Sequence, residues 1–151
     1  MAAKVTHTES ISLSEMTLIG KTGTSWGDWW ANGWFDVLEN HAVKPVDPDY
    51  LGAMHGDAYW VGMLFPAGTI APEGYESLEI PAADYALNYL YGKEDGADMY
   101  GPDALRLCTQ AMEAQGLHQA PGVVMERYNC PRFTTPDAEG NVIIDYLIPV
   151  K

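Results

Sequence analysis

Met125-Glu126-Arg127-Tyr128, followed by a polar loop and then by Ile143-Ile144-Asp145-Tyr146-Leu147-Ile148-Pro149-Val150, is the stretch on which the fold turns. Successive side chains of a strand alternate between faces, so Val124, Glu126 and Tyr128 share one face and a carboxylate stands in an apolar and aromatic row. A carboxylate removed from water is costly unless it meets a protein cation, a hydrogen-bond donor or a ligand of complementary charge. Glu126 is therefore the first candidate for a functional residue. Between the two strands, Asp137-Ala138-Glu139-Gly140-Asn141 has turn composition, and Gly140-Asn141 is expected in a surface turn.

Working upstream, Pro102 suits the first turn of a helix that carries Ala104, Leu105, Cys108, Ala111, Met112 and Gln115 along one side and stops at Gly116. Before it, Tyr75 to Tyr91 reads as a long strand interrupted near Pro81, and Gly92 to Gly96 as a polar loop. Pro66 to Gly74, with two prolines and two glycines, is the best internal boundary. On its other side the order recurs. Ser10 to Gly23 reads as a strand, and Ser25 with Asp28 as a capping-box-like helix start. Trp26, Trp30, Trp34, Val37, Leu38 and His41 then fall near one helical face. Tyr50 to Met54 and Ala58 to Phe65 form a strand pair around His55-Gly56-Asp57. Strand-helix-strand-strand thus occurs twice, with half-modules at about 10–65 and 75–150 of one domain.

One further stretch, Leu78-Glu79-Ile80-Pro81-Ala82-Ala83-Asp84-Tyr85-Ala86, completes a pattern. An Ile-Pro-x-x-x-Tyr-Ala strand followed by a helix, an apolar-Glu-x-Tyr strand and a terminal strand ending Ile-Pro-Val resembles the GyrI-like small-molecule-binding domains, also called the bacterial transcription-activator effector-binding domain. The resemblance runs from about Tyr75 to Lys151. It implies an α+β fold of two tandem strand-helix-strand-strand modules with pseudo-twofold symmetry, an antiparallel sheet and a ligand pocket between the modules. It also implies an effector-binding module in stand-alone form, with Glu126 at the base of the pocket facing cationic, aromatic ligands.

Composition constrains the reading from another direction. The chain has 151 residues, 47% of them hydrophobic, enough for a packed interior. Its net charge of −13, with only eight Lys and Arg, argues against direct nucleic-acid binding, which needs clustered cations. A cationic ligand or partner suits it better. No run approaches the ~20 apolar residues of a membrane span, and the polar Met1 to Ser10 lacks a secretory pattern, so a cytoplasmic protein without membrane contact is expected. Cys108 and Cys130 read as free thiols. His7, His41, His55 and His118 lack metal-ligand spacing, so no metal is expected. No Gly-rich phosphate loop, GxSxG elbow or HExxH helix is present, and no cofactor is expected.

The candidate binding residues are Glu126, Trp60, Tyr89, Tyr85, Tyr128 and Met63. Tyr85, Tyr89 and Tyr91 share a strand face and could wall a pocket, and Trp60 is ranked with Tyr89 above Trp26 and Trp30, whose helical spacing favours core. An aromatic face near a cation contributes about 0.5–2 kcal/mol. Met63, with Met54, Met99, Met112 and Met125, offers an adaptable lining. The function so reached is binding of hydrophobic, cationic aromatic small molecules, for sensing or sequestration. Two alternatives stand beside it: a hydrolase of electrophilic toxins in which Glu126 activates water, and an inhibitory module acting on a DNA-handling enzyme. The oligomeric state stays open between monomer and homodimer.

Overall fold

In the computed structural model, which describes residues 2–151, the chain runs β1 (Lys4–Leu13), β2 (Met16–Thr22), α1 (Trp26–Asn32), α2 (Trp34–Glu39), β3 (Tyr50–His55), β4 (Ala58–Pro66), β5 (Glu76–Ile80), β6 (Ala83–Lys93), α3 (Gly101–Glu113), β7 (Val124–Tyr128) and β8 (Asn141–Pro149). The eight strands form one antiparallel sheet in the order β1-β6-β8-β7-β3-β4-β2-β5. The order is symmetric about the β7–β3 pair. Strands β2, β3 and β4 of the first half stand as β6, β7 and β8 do in the second, and the outermost strands are exchanged: β1 lies on β6 and β5 on β2.

That exchange corrects the single strand expected from Ser10 to Gly23. The segment is two strands parted at Ser14-Glu15, because the chain changes partner there. Leu13 ends opposite Ala83 at one end of the sheet, and Met16 begins opposite Ile80 at the other. The break expected near Pro81 is its counterpart, at a residue with no N–H to give a ladder. Since residues three apart in sequence stand at opposite ends of the strand order, the sheet curls until its two ends meet. The curl closes over Leu18, Leu51, Leu64, Ile80, Leu87, Met125 and Leu147, which pack together as the core of the reverse face.

All three helices cover the other face. Helix α3 buries Ala104, Cys108 and Met112, at a spacing of four, against Ala86, Leu90, Ile144 and Ile148, with Leu105 partly buried beside them. Helices α1 and α2 cover Ile19, Val61, Met63 and Phe65. The capping box forms as the sequence suggests: the Asp28 N–H donates to Ser25 Oγ at 3.1 Å and the Ser25 N–H to Asp28 Oδ2 at 3.1 Å. Ser25→Ala is expected to lower stability by ~1 kcal/mol, read as a fall of about 2–4 °C in Tm by thermal melting.

The expected single helix is broken at Gly33, whose φ of 65° stops α1 and starts α2. This shortens α1 and turns its faces. Trp29 is fully buried against Phe35 and Trp34, whereas Trp30 is 60% exposed. The turn before β8 also ends one residue earlier than expected: Gly140 has φ 80°, while Asn141 is buried and opens the strand. Both cysteines are free thiols, Cys108 buried and Cys130 exposed. Among the described residues no helix is long and apolar enough to cross a membrane.

Candidate functional site

Pairing across the sheet aligns Val61, Gly52, Glu126, Tyr146 and Asn88 in one row on the helix-bearing face, at the centre where the two halves meet. Helices α1–α2 and α3 stand on either side of this centre and leave a gap above it. The gap is a cavity of about 420 Å³, within the usual range for a small-molecule site. Trp26, Trp30 and Tyr50 from the first half line it, together with Glu94, Tyr100, Tyr128, Phe133 and Thr134 from the second.

Glu126, 6% exposed, is not itself one of the lining residues: it stands behind the cavity wall, among the hydroxyl groups of Tyr59, Tyr128 and Tyr146. The Tyr59 hydroxyl donates to Glu126 Oε1 in a short hydrogen bond, and Trp26 Nε1–H in turn donates to Tyr59 Oη at 3.0 Å. A chain of donors therefore leads from the cavity wall to the carboxylate. Tyr128 supplies a further hydroxyl. Tyr146 Oη stands 3.4 Å from Glu126 Oε2 but 2.7 Å from the Met99 carbonyl, so its single proton goes to the closer acceptor. Among the described residues Glu126 has no Lys, Arg or His partner.

Burial dominates the electrostatics here. It raises the proton affinity of Glu126 above its ordinary value of 4.5, and the tyrosine hydroxyls pull it back only in part. Tyr59, Tyr128 and Tyr146 are themselves raised, first by burial and next by the Glu126 charge, so they stay protonated and act as donors. Tyr100 is pushed up to about 12 by burial and then by Glu94, Glu126 and Asp95. The cavity is thus lined mainly by aromatic rings, with Glu94 as its one carboxylate and no Lys, Arg or His among its lining residues.

The room for Glu126 comes from its neighbour. A Cβ at Gly52 would overlap both the Tyr59 hydroxyl and the Glu126 carboxylate, and would stand 2.8 Å from Glu126 Cγ. Glycine is the one residue at this position that leaves the Tyr59–Glu126 contact undisturbed.

Of the residues singled out from sequence, the structure brings Glu126 and Tyr128 together. Trp60, Tyr85 and Tyr89 lie on the reverse face, across the sheet from the cavity: Trp60 and Tyr85 are buried there, and Tyr89 faces His7 and Arg132. Met63 shares the face of Glu126 but is 1% exposed under α1 and α2, away from the cavity. Conversely, Trp26 and Trp30, read as core, are cavity walls. Tyr50, Tyr59, Gly52, Glu94, Tyr100, Phe133, Thr134 and Tyr146 carried no local signal beyond the chain's richness in aromatics. Asp145 is wholly buried on the reverse face and pairs with Arg127 and Arg132. Arg132 is thereby occupied and does not neutralise Glu126.

No family model and no curated protein matches the chain at the level of sequence. Solved structures do match it. SAV2435 bound to tetraphenylphosphonium superposes with a TM-score of 0.66 at 16% identity, over 96% of this chain and 94% of that one. The EcmrR C-terminal domain gives 0.64 at 12% identity, over 96% and 97%. The fold is GyrI-like. EcmrR in its DNA complex in EcmrR-RPo matches with a TM-score of 0.63 at 13% identity, and there the chain covers 57% of the EcmrR length against 96% of its own. At these identities the likeness is one of fold.

Proposed function

We propose that the chain binds hydrophobic aromatic cations in the cavity between its halves, for sensing or sequestration. The observation that carries this reading is the state of Glu126, a carboxylate 6% exposed with tyrosine hydroxyls around it and no cationic partner among the described residues, joined through Tyr59 and Trp26 to the aromatic wall of the cavity. A lipophilic cation would complete the missing charge, and its apolar groups would cover Trp26, Trp30, Tyr50 and Tyr128. The tetraphenylphosphonium held by SAV2435 belongs to this chemical class and supports the choice. Calorimetric titration with tetraphenylphosphonium against a neutral analogue of the same shape is the test. Preference for the cation is the expected result, and equal binding of both would remove the charge-selective role of Glu126.

Protonation supplies a second test. The free protein holds Glu126 with raised proton affinity through burial, and a bound cation favours the ionised form. Cation affinity should therefore be full above the free-protein titration of Glu126 and fall as the pH drops through it, with a proton released on binding in that window. Affinity measured from neutral pH down toward the ordinary carboxylate range should decline for the native chain and stay flat for Glu126→Gln.

The same raised proton affinity favours one other reading, in which Glu126 acts as a general base on water beside an electrophilic ligand. Mass spectrometry of such a ligand after incubation separates the two: an increase by one water means hydrolysis, and an unchanged mass means binding alone.

A further inference from the structure

The reverse face carries an ionic cluster directly behind one rim of the cavity. Asp145 is wholly buried and is held by two guanidinium groups, with Arg127 Nη2 at 2.9 Å from Oδ2 and Arg132 Nε donating to Oδ1 at 2.9 Å. Arg132 makes a second bond to Oδ2, so the contact is bidentate, and its guanidinium lies 4.8 Å from the Tyr89 ring centroid. Arg127 extends the cluster to Asp47 at 3.2 Å, and Asn129 Nδ2 donates to Asp49 at 2.7 Å.

The cluster joins two segments, and both carry cavity walls. Asp47 and Asp49 lead into Tyr50, which stacks on Phe35 at 3.8 Å. Arg132 is followed by Phe133 and Thr134, and the Phe133 ring meets Tyr128 edge-on at 4.8 Å. Beyond the end of β7, the Ile143 N–H donates to the Arg132 carbonyl at 3.0 Å, so residue 132 still lies alongside β8. Residues 130–134 form a turn, closed by the Phe133 N–H donating to the Asn129 carbonyl at 2.7 Å and the Thr135 N–H to the Pro131 carbonyl at 2.9 Å, and this turn sends the two neighbouring side chains different ways. Arg132 reaches the buried Asp145 while Phe133 turns into the cavity.

We infer that Arg132 is a positioning residue for the binding site: its bidentate grip on Asp145 fixes the Phe133–Thr134 wall and so sets the affinity for the cation. This rests on the cation-binding reading for its consequence, though not for the clamp itself. Simple electrostatics gives the opposite sign, because removing a positive charge from the protein should strengthen its attraction for a cation. The clamp requires that binding weaken, since a wall that must be ordered on binding lowers affinity.

The experiment uses the full chain, tetraphenylphosphonium as the probe, and the variants Arg132→Gln, Arg132→Lys, Phe133→Ala and the Gln/Ala double variant. Arg132→Gln is expected to weaken binding roughly two- to thirtyfold, the range for coupling through a positioning contact. Arg132→Lys, which keeps the charge and loses the fork, should fall between it and the native chain. In the Phe133→Ala background the Gln substitution should cost no further affinity. Equal or tighter binding by Arg132→Gln, or full additivity with Phe133→Ala, would overturn the inference.

Hydrogen exchange of the ligand-free protein separates this from the function itself. The amides of Phe133, Thr135 and Ile143, bonded to the carbonyls of Asn129, Pro131 and Arg132, should exchange faster in Arg132→Gln while β3 stays protected. Should the native chain fail to bind tetraphenylphosphonium, the cation reading falls, and unchanged exchange at these three amides overturns the clamp as well. Asp145 retains Arg127 in every variant, and Arg132→Lys carries the test if the Gln variant fails to fold.

Discussion

Glu126→Gln is expected to weaken binding of a cationic aromatic ligand by about 1.5–3 kcal/mol, the usual worth of a charge-assisted contact, while a neutral ligand of the same shape loses much less. Glutamine keeps the length of the side chain and an oxygen to accept from Tyr59, so what changes is charge. The effect is large because Glu126 is buried among hydroxyl groups, where solvent and salt screen little. The other carboxylates of this acidic chain act from a distance through water and matter less.

The same substitution should make the unliganded protein more stable. A carboxyl whose folded-state proton affinity lies above its unfolded value costs stability when ionised, and that cost appears as the pH rises from the unfolded titration through the folded one. At neutral pH, Glu126→Gln should therefore raise Tm, with the gain vanishing toward the ordinary carboxylate range. Thermal melts at several pH values read this directly. A gain in stability beside a loss of cation affinity would mark Glu126 as retained for binding at the expense of the fold. Equal affinity losses for charged and neutral ligands would mean instead that it only shapes the cavity.

Gly52→Ala is the second large effect. The new methyl group would occupy the space of the Tyr59–Glu126 contact, and its obstacles are the ends of two side chains, so the strand can stay in place while the contact cannot. We expect a stability loss of about 1–3 kcal/mol, typical of an inserted methyl in a packed site, and a loss of cation affinity comparable to that of Glu126→Gln. Because both substitutions act on one contact, the double variant should bind scarcely worse than either single variant. Calorimetry on the four proteins of that cycle checks this. Additive losses would show that Gly52 acts on the cavity by some route other than Glu126.

Much of the architecture was legible because it is written in short-range chemistry. The Ser25–Asp28 capping box, the hairpin around Gly56, the break at Pro81 and the four-residue spacing of Ala104, Cys108 and Met112 are all local, and each formed. The positive φ of Gly33, which splits the expected helix and exposes Trp30 in place of Trp29, depends on how α2 docks against the sheet. The single strand expected at 10–23 failed for a related reason. Nothing within that segment records that its two parts pair at opposite ends of the sheet.

By itself, the sequence determined the parity that sets Glu126 and Tyr128 on one face of β7, the apolar surroundings that make an acid there costly, and the recurrence of strand, helix, strand and strand. Parity along one strand says nothing about which face of another strand it meets. That is decided by cross-strand register, which aligns Glu126 with Gly52 and Tyr146 and places Tyr89 behind the sheet in a row with Asp145 and Arg127. Tertiary structure alone therefore chose Trp26, Trp30, Tyr50 and Phe133 over Trp60, Tyr85 and Tyr89 as cavity walls, since a one-residue change of register moves every side chain of a strand to the other face.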